Sequence, residues 1–383
     1  MKIAVPKEIL PQERRVALTP QVIAKLAGSG FEIFVQQGAG EGSFYSDDAY
    51  REAGAVVVNS IEELYQNSQI ILKVQPPLID EQKNINQVQQ IPEGTVLISF
   101  LEAFRNPRLA VELAKRDITS FSMDTIPRIS RAQSMDALSS QASAAGYKAV
   151  LIAAREICKF LPMLTTAAGT IPPAKVFVIG AGVAGLQAIA TAKRLGAIVE
   201  GFDIRAAAKG EVESLGAKFV SVELEEATEA EGGYAKEVSA EAQKKEHQLI
   251  HEHVAAADIV ITTAQVPGKK APILITKDMI EAMRPGSVIM DLAVEQGGNV
   301  ELSRPGEKTE HHGVTIIGPA NLTSEMAVHT SQMYARNISA LLQLLVKDGK
   351  LNLDFNDEII AGCCITYAGE IRNDGIRELL AES

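Results

Sequence analysis

Three glycines, one acid and a run of amides, hydroxyls and arginines are the residues of this chain whose types and spacing could do chemistry. Gly180, Gly182 and Gly185 follow a short β-branched apolar run, Val176, Phe177, Val178 and Ile179, in G-x-G-x-x-G spacing. They open a helix of small residues in which Val183 belongs to the first turn. The first glycine permits a tight turn, the second lets backbone approach a pyrophosphate, and the third lets helix and strand pack closely. The helix N-terminus offers free N–H groups and a partial positive charge to phosphate. Asp203 closes the next strand about 20 residues on, where a carboxylate accepts hydrogen bonds from the adenosine ribose and repels a 2′-phosphate. These residues specify a dinucleotide site that prefers NAD(H) to NADP(H). Ile204 and Arg205 follow directly, and although an arginine there can tolerate a phosphate, the acid governs.

A second polar stretch is PRISRAQSMDALSSQ, residues Pro127 to Gln141. Arg128, Ile129, Ser130, Arg131, Gln133, Asp136, Ser139, Ser140 and Gln141 are expected to reach the nicotinamide end of the dinucleotide. Amides and hydroxyls would bond its carboxamide, and an arginine would bond phosphate. A third stretch, between a strand ending near Val222 and a helix including His247, is rich in Glu, Ala, Lys and Gly. It is longer than a usual strand-to-helix loop. Its GGYAKE, with Gly232, Gly233 and Tyr234, suits a hinged lid with an aromatic tip.

The elements that must position these groups alternate between helical and strand patterns, which argues for an α/β fold with parallel sheets. In the first half, Lys2 to Val5, Phe31 to Val35, Ile70 to Val74, Val96 to Phe100 and Ile118 to Ser122 read as strands. Thr19 before Pro20, Ser60 with Glu63, and Asn106 before Pro107 mark helix starts between them. After Asp203 the second sheet should continue through Lys218 to Val222, Asp258 to Thr263, Ser287 to Asp291 and Val314 to Ile317. The loops TTAQVPG, which holds Gln265, DLAVEQGGN and GPANL then lie at strand carboxyl ends, where ligands bind. TTAAGTIPPAK reads as a connecting loop.

Small-residue helices near Met135 to Phe160 and His329 to Leu345 should link the halves. The expected architecture is two doubly wound, Rossmann-like parallel-sheet domains joined by two long helices with a cleft between them. Residues 1–136 with 330–383 form one domain and 137–329 the NAD(H)-binding other.

A chain of 383 residues with net charge −11 and pI near 5.2 is ill suited to nucleic acid or an anionic membrane. No apolar run is long enough to insert in a membrane, and MKIAVPKEIL lacks a signal-peptide pattern. Cys158, Cys363 and Cys364 form no C-x-x-C pair, as expected in a reducing cytoplasm. His247 and His251 stand four apart without a third ligand, so no metal site is expected.

PRISRAQSMD, then SSQ, then IGAGVAGLQAIATAKRLGA closely resemble the soluble NAD(H)-binding alpha subunits of proton-translocating NAD(P) transhydrogenases, in the alanine dehydrogenase/transhydrogenase family. The likeness extends from VPKE and RRVALTP to LAVEQGGN and weakens in the last fifty or so residues. It implies a homodimer, peripheral on the cytoplasmic face of a membrane complex. Hydride would pass between NAD(H) bound here and NADP(H) on a partner subunit, beside membrane-spanning subunits that carry the proton path.

It also implies that Arg128, Gln133, Asp136 and Ser139 form the loop over the nicotinamide, that Asp203 holds the ribose, and that GGYAKE is the mobile loop. Hydride exchange between two nicotinamides needs no general base, so Gln133, Asp136 and Arg128 would position rather than react.

The rival within the family is alanine dehydrogenase, whose substrate-gripping positions match Arg15 and Lys73. Glu102 stands where its catalytic histidine is expected, and Glu295 where its aspartate is, so the proton donor for pyruvate chemistry is missing. A non-catalytic NAD-sensing subunit is a further alternative, although a sensor could read the adenine half alone.

Overall fold

The computed structural model describes residues 1–66, 68–221, 240–265 and 270–381. The chain divides into two compact units, Met1–Gln141 with Ser324–Ser383, and Ala142–Thr323.

The first unit is built on an eight-stranded sheet. Its parallel strands run, from one edge inward, Val56–Val58, Glu32–Gln36, Lys2–Val5, Ile70–Leu72, Val96–Ser99 and Thr119–Ser122. The expected strands all form, with their ends shifted by a residue or two. Ile70–Leu72 and Val96–Ser99 are buried throughout, which is why they read as unbroken apolar runs rather than alternating ones. Two tail strands, Cys364–Tyr367 and Glu370–Ile371, extend this sheet antiparallel beyond Thr119–Ser122. Neither they nor the short edge strand Val56–Val58 stands out in the sequence, because each is too short to show a period.

The second unit carries a seven-stranded sheet in the order Lys218–Val220, Ile198–Phe202, Lys175–Ile179, Ile259–Thr262, Val288–Asp291, Val314–Gly318 and Glu307–His311. All pair in parallel except the last, a charged edge strand whose sequence EKTEH has no apolar face to announce it. In both sheets the first strand is central and later strands are added to one side and then the other, the doubly wound arrangement.

TTAAGTIPPAK is not simply a connecting loop. Leu164–Thr166 and Gly169–Ile171 pair as an antiparallel hairpin, with Gly169 at φ +109° in the turn. Its β-branched threonines and isoleucine favour extended backbone, a signal masked by the neighbouring prolines and alanines.

The helix Ala137–Glu156 starts in the first unit and ends in the second. Its small residues allow close approach: a Cβ on Gly146 would lie 2.0 Å from the Ala184 carbonyl oxygen. The helix Ala327–Leu345 belongs to the first unit and buries Tyr334, Ile338, Leu341, Leu342 and Leu345. Among the described residues, no helix is long and apolar enough to cross a membrane.

Candidate functional site

In the second unit the Lys175–Ile179 strand runs into Gly180, which sits at φ +95°. A side chain there would be strained, and its Cβ would stand 2.6 Å from Thr263 Oγ1, which donates to the Gly180 carbonyl at 3.0 Å. Gly185 is tighter still, because its Cβ would lie 1.8 Å from that same carbonyl oxygen. Gly182 is the N-cap of the Val183–Arg194 helix, and nothing lies within 4 Å of where its Cβ would project. Two glycines therefore close the turn while the middle one keeps space open at an exposed helix N-terminus. Such a cradle fits a pyrophosphate.

Asp203 follows the Ile198–Phe202 strand and is 9% exposed. Its Oδ2 accepts from the Ala181 amide at 2.8 Å and from Arg205 Nη2 at 2.9 Å. Its Oδ1 accepts from the Arg205 amide at 2.8 Å and from Arg205 Nε at 2.9 Å. The acid thus ties the glycine turn to the end of the neighbouring strand, with half-buried Ile204 between the pair. Glu246, on the Ala240–Ala256 helix, is near enough to sense Asp203: burial and that negative charge both raise its pKa.

Gln265 is exposed just past the Ile259–Thr262 strand, and its Nε2 donates to Leu292 O at 3.0 Å and Gln296 Oε1 at 3.1 Å. Beneath it lies a network that the sequence pattern did not single out. Asp291, fully buried, accepts from Thr262 Oγ1 and from the amides of Ala293, Asn299 and Val300. Asn299 in turn accepts the Ala264 amide at 3.0 Å and donates to the carbonyls of Ala264 and Pro272. The signal was present, since an acid ending an apolar strand is the pattern that singled out Asp203.

In the first unit, Ser130–Met135 is a 3-10 turn anchored by buried Ala132 and Met135, leaving Arg128, Ser130 and Gln133 exposed and Ile129 half-buried. Asp136 caps the Ala137–Glu156 helix: its Oδ1 accepts the Ser139 amide at 2.9 Å and its Oδ2 the Ser139 hydroxyl at 2.5 Å. Three neighbours face elsewhere. Arg131 forms a two-bond pair with Asp357 at 2.6 and 2.8 Å, which holds that carboxyl down at about 2. Ser140 donates to Asn337 at 2.7 Å, and Gln141 bridges Arg15 to the Thr330 carbonyl. Gly232, Gly233 and Tyr234 lie outside the described residues.

Arg15 and Lys73 are buried and paired with carboxylates. Lys73 Nζ meets Glu8 Oε2 at 2.9 Å, and the Val74 amide donates to the other oxygen of Glu8. Arg15 grips Glu13 through Nε at 2.9 Å and Nη2 at 2.6 Å, and Gln75 adds a bond at 2.6 Å. Burial alone would push the Glu13 carboxyl up, but the hydrogen bond and charge of Arg15 outweigh it and hold it at about 2. Glu102 is exposed and pairs with Arg105 at 2.9 Å. Glu295 is exposed as well.

Comparison with known proteins agrees with this fold. Residues 4–145 match the N-terminal domain of the alanine dehydrogenase/PNT family and residues 149–374 its C-terminal domain. An NAD(P) transhydrogenase alpha-subunit chain of Rhodospirillum rubrum is 49% identical over 375 residues, 97% of each chain. The crystal structure of transhydrogenase from Sinorhizobium meliloti superposes with a TM-score of 0.87 at 43% identity, covering 97% of this chain and 100% of that one. An L-alanine dehydrogenase structure follows at TM-score 0.82 and 27% identity, covering 100% and 99%. With both domain families matched and a relative this similar along nearly its whole length, the chain belongs to the alanine dehydrogenase/PNT family, beside the transhydrogenase alpha subunits.

Proposed function

We propose that the chain is the NAD(H)-binding subunit of a proton-translocating transhydrogenase, exchanging hydride with NADP(H) held on a partner subunit. The observation that carries this reading is the open seat at Gly182, flanked by two closed glycines and followed by Asp203. Gly180, Gly182, Val183 and Gly185 hold the pyrophosphate, while Asp203, Ile204 and Arg205 line the adenosine ribose. When bound, NAD(H) supplies the hydride. Arg128, Ile129, Ser130, Gln133, Asp136 and Ser139 hold the nicotinamide end, with Gln265 and the Gly233–Tyr234 segment completing the site. Gln133, Asp136 and Arg128 orient the ring rather than move a proton, and Asp136 does so while capping its helix.

The partners are an NADP(H)-binding subunit and membrane-spanning subunits. The chain itself sits as a peripheral component on the cytoplasmic face, and a second copy of it makes a homodimer. Exposed Phe160, Met163 and Ile171, beside and within the Leu164–Ile171 hairpin, offer apolar surface for that second copy. The alanine dehydrogenase reading is weaker because reduction of pyruvate requires a proton donor, and Glu102, at the expected position, is solvent-exposed and paired with Arg105.

The test titrates NADH and NADPH against the full chain, then assays it with pyruvate and ammonium, and then with an added NADP(H)-binding partner. Binding of NADH over NADPH and turnover only with the partner are expected. Turnover of pyruvate without the partner overturns the assignment. Replacing Gln133 with alanine should slow hydride transfer far more than it weakens NADH binding, and equal losses would remove Gln133 from the ring-positioning group.

A further inference from the structure

We propose that Arg205 is an internal competitor of the adenosine ribose, its guanidinium occupying on Asp203 the seat of the vicinal diol until nucleotide displaces it. The inference rests on the reading of Asp203 as the ribose acceptor. A carboxylate offers about four lone-pair positions, and in this molecule four donors fill them: two backbone amides, from Ala181 and Arg205, and two side-chain N–H groups of Arg205. The amides belong to the glycine turn and the strand end, so they stay and aim the carboxylate. The Nε–Nη2 edge is different. It presents two parallel donors, one to each oxygen, as two adjacent ribose hydroxyls would. Diol and guanidinium cannot occupy that edge together.

The consequence is selective. With Arg205 in place, the acid is neutralised and an incoming 2′-phosphate would meet a cation. Once the guanidinium has left, a 2′-phosphate would face bare Asp203 with Glu246 close by, whereas a 2′-hydroxyl gains an acceptor. Rejection of NADP(H) therefore takes effect only on displacement, and NAD(H) binds more weakly than the open cradle would allow. For a hydride carrier, weak binding speeds exchange of product for substrate.

The full-length chain would be titrated with NADH, NADPH and reduced nicotinamide mononucleotide, which lacks the adenosine. Arg205→Met should bind NADH about fivefold more tightly than wild type, the size of one modest ion pair. Affinity for the mononucleotide should stay within about twofold, and NADPH should gain nothing. Arg205→Lys, which keeps the charge and loses the fork, should gain about two- to threefold for NADH, and it guards against a methionine variant that fails to fold. Equal or weaker NADH binding by folded Arg205→Met and Arg205→Lys overturns the competition and leaves the function standing. A folded wild-type chain that binds no NADH overturns both.

Discussion

The two sheets reach the same topological position and fill it in opposite ways. In each, the first strand of the sheet lies beside the fourth, at the point where the order of addition reverses and where open α/β sheets place their ligands. In the first unit, the residues just beyond those strands are Glu8 and Lys73, buried and paired at 2.9 Å, with Arg15, Glu13 and Gln75 completing a closed polar cluster. In the second unit they are Gly180 and Thr263, which bond each other and leave the seat at Gly182 open. One winding order thus yields an internally neutralised plug in one unit and an open glycine turn in the other. Topology sets where a site can form, and the few side chains past the strand ends decide whether anything can enter.

The largest way to break that contrast is Lys73→Met, which strands the Glu8 carboxylate in the interior. It should remove about 3–5 kcal/mol from the first unit's stability in urea unfolding. The double change of Lys73→Met with Glu8→Gln should recover a large part of that loss, because the uncompensated charge is gone. No loss for the single variant would mean the plug carries no weight.

Acid should act on the same cluster. The folded pKa of Glu13 lies at about 2, below its ordinary value of 4.5, so its contribution is present above about pH 4.5 and is lost as pH falls toward 2. At about 1.4 kcal/mol per unit, the loss is about 3 kcal/mol. It would be read from urea midpoints measured at stepped pH, with Glu13→Gln expected to lower stability at neutral pH and flatten the acid slope.

The cradle is sharpened by two smaller changes that should separate from each other. Gly185→Ala drives a methyl into the Gly180 carbonyl and should cost about 1–3 kcal/mol of stability. Gly182→Ala has ordinary backbone angles and open space, so stability should move by no more than about 0.5 kcal/mol. Its methyl nevertheless stands in the proposed phosphate seat, and NADH affinity measured by titration should fall about tenfold or more. Equal stability losses for the two alanines would mean that the middle glycine is structural.

By itself the sequence determined the double winding, the central strands and the glycine turn. These rest on local signals: β-branched runs buried on both faces, glycines at fixed spacing, and an acid one strand on. It did not reveal the charged edge strand Glu307–His311, the hairpin at Leu164–Ile171 or the tail strands Cys364–Tyr367 and Glu370–Ile371, whose extended backbone depends on partners distant in the chain or on a turn without a periodic pattern. The tertiary structure alone decided where charged side chains spend their bonds. Arg15 and Lys73 look like substrate grips until Glu13 and Glu8 are seen against them, and Arg131 looks like a phosphate ligand until Asp357, 226 residues away, takes the two-donor face of its guanidinium. Backbone preference is written in neighbouring residues, but an ion pair is a distance in space, and only folding brings its two ends together.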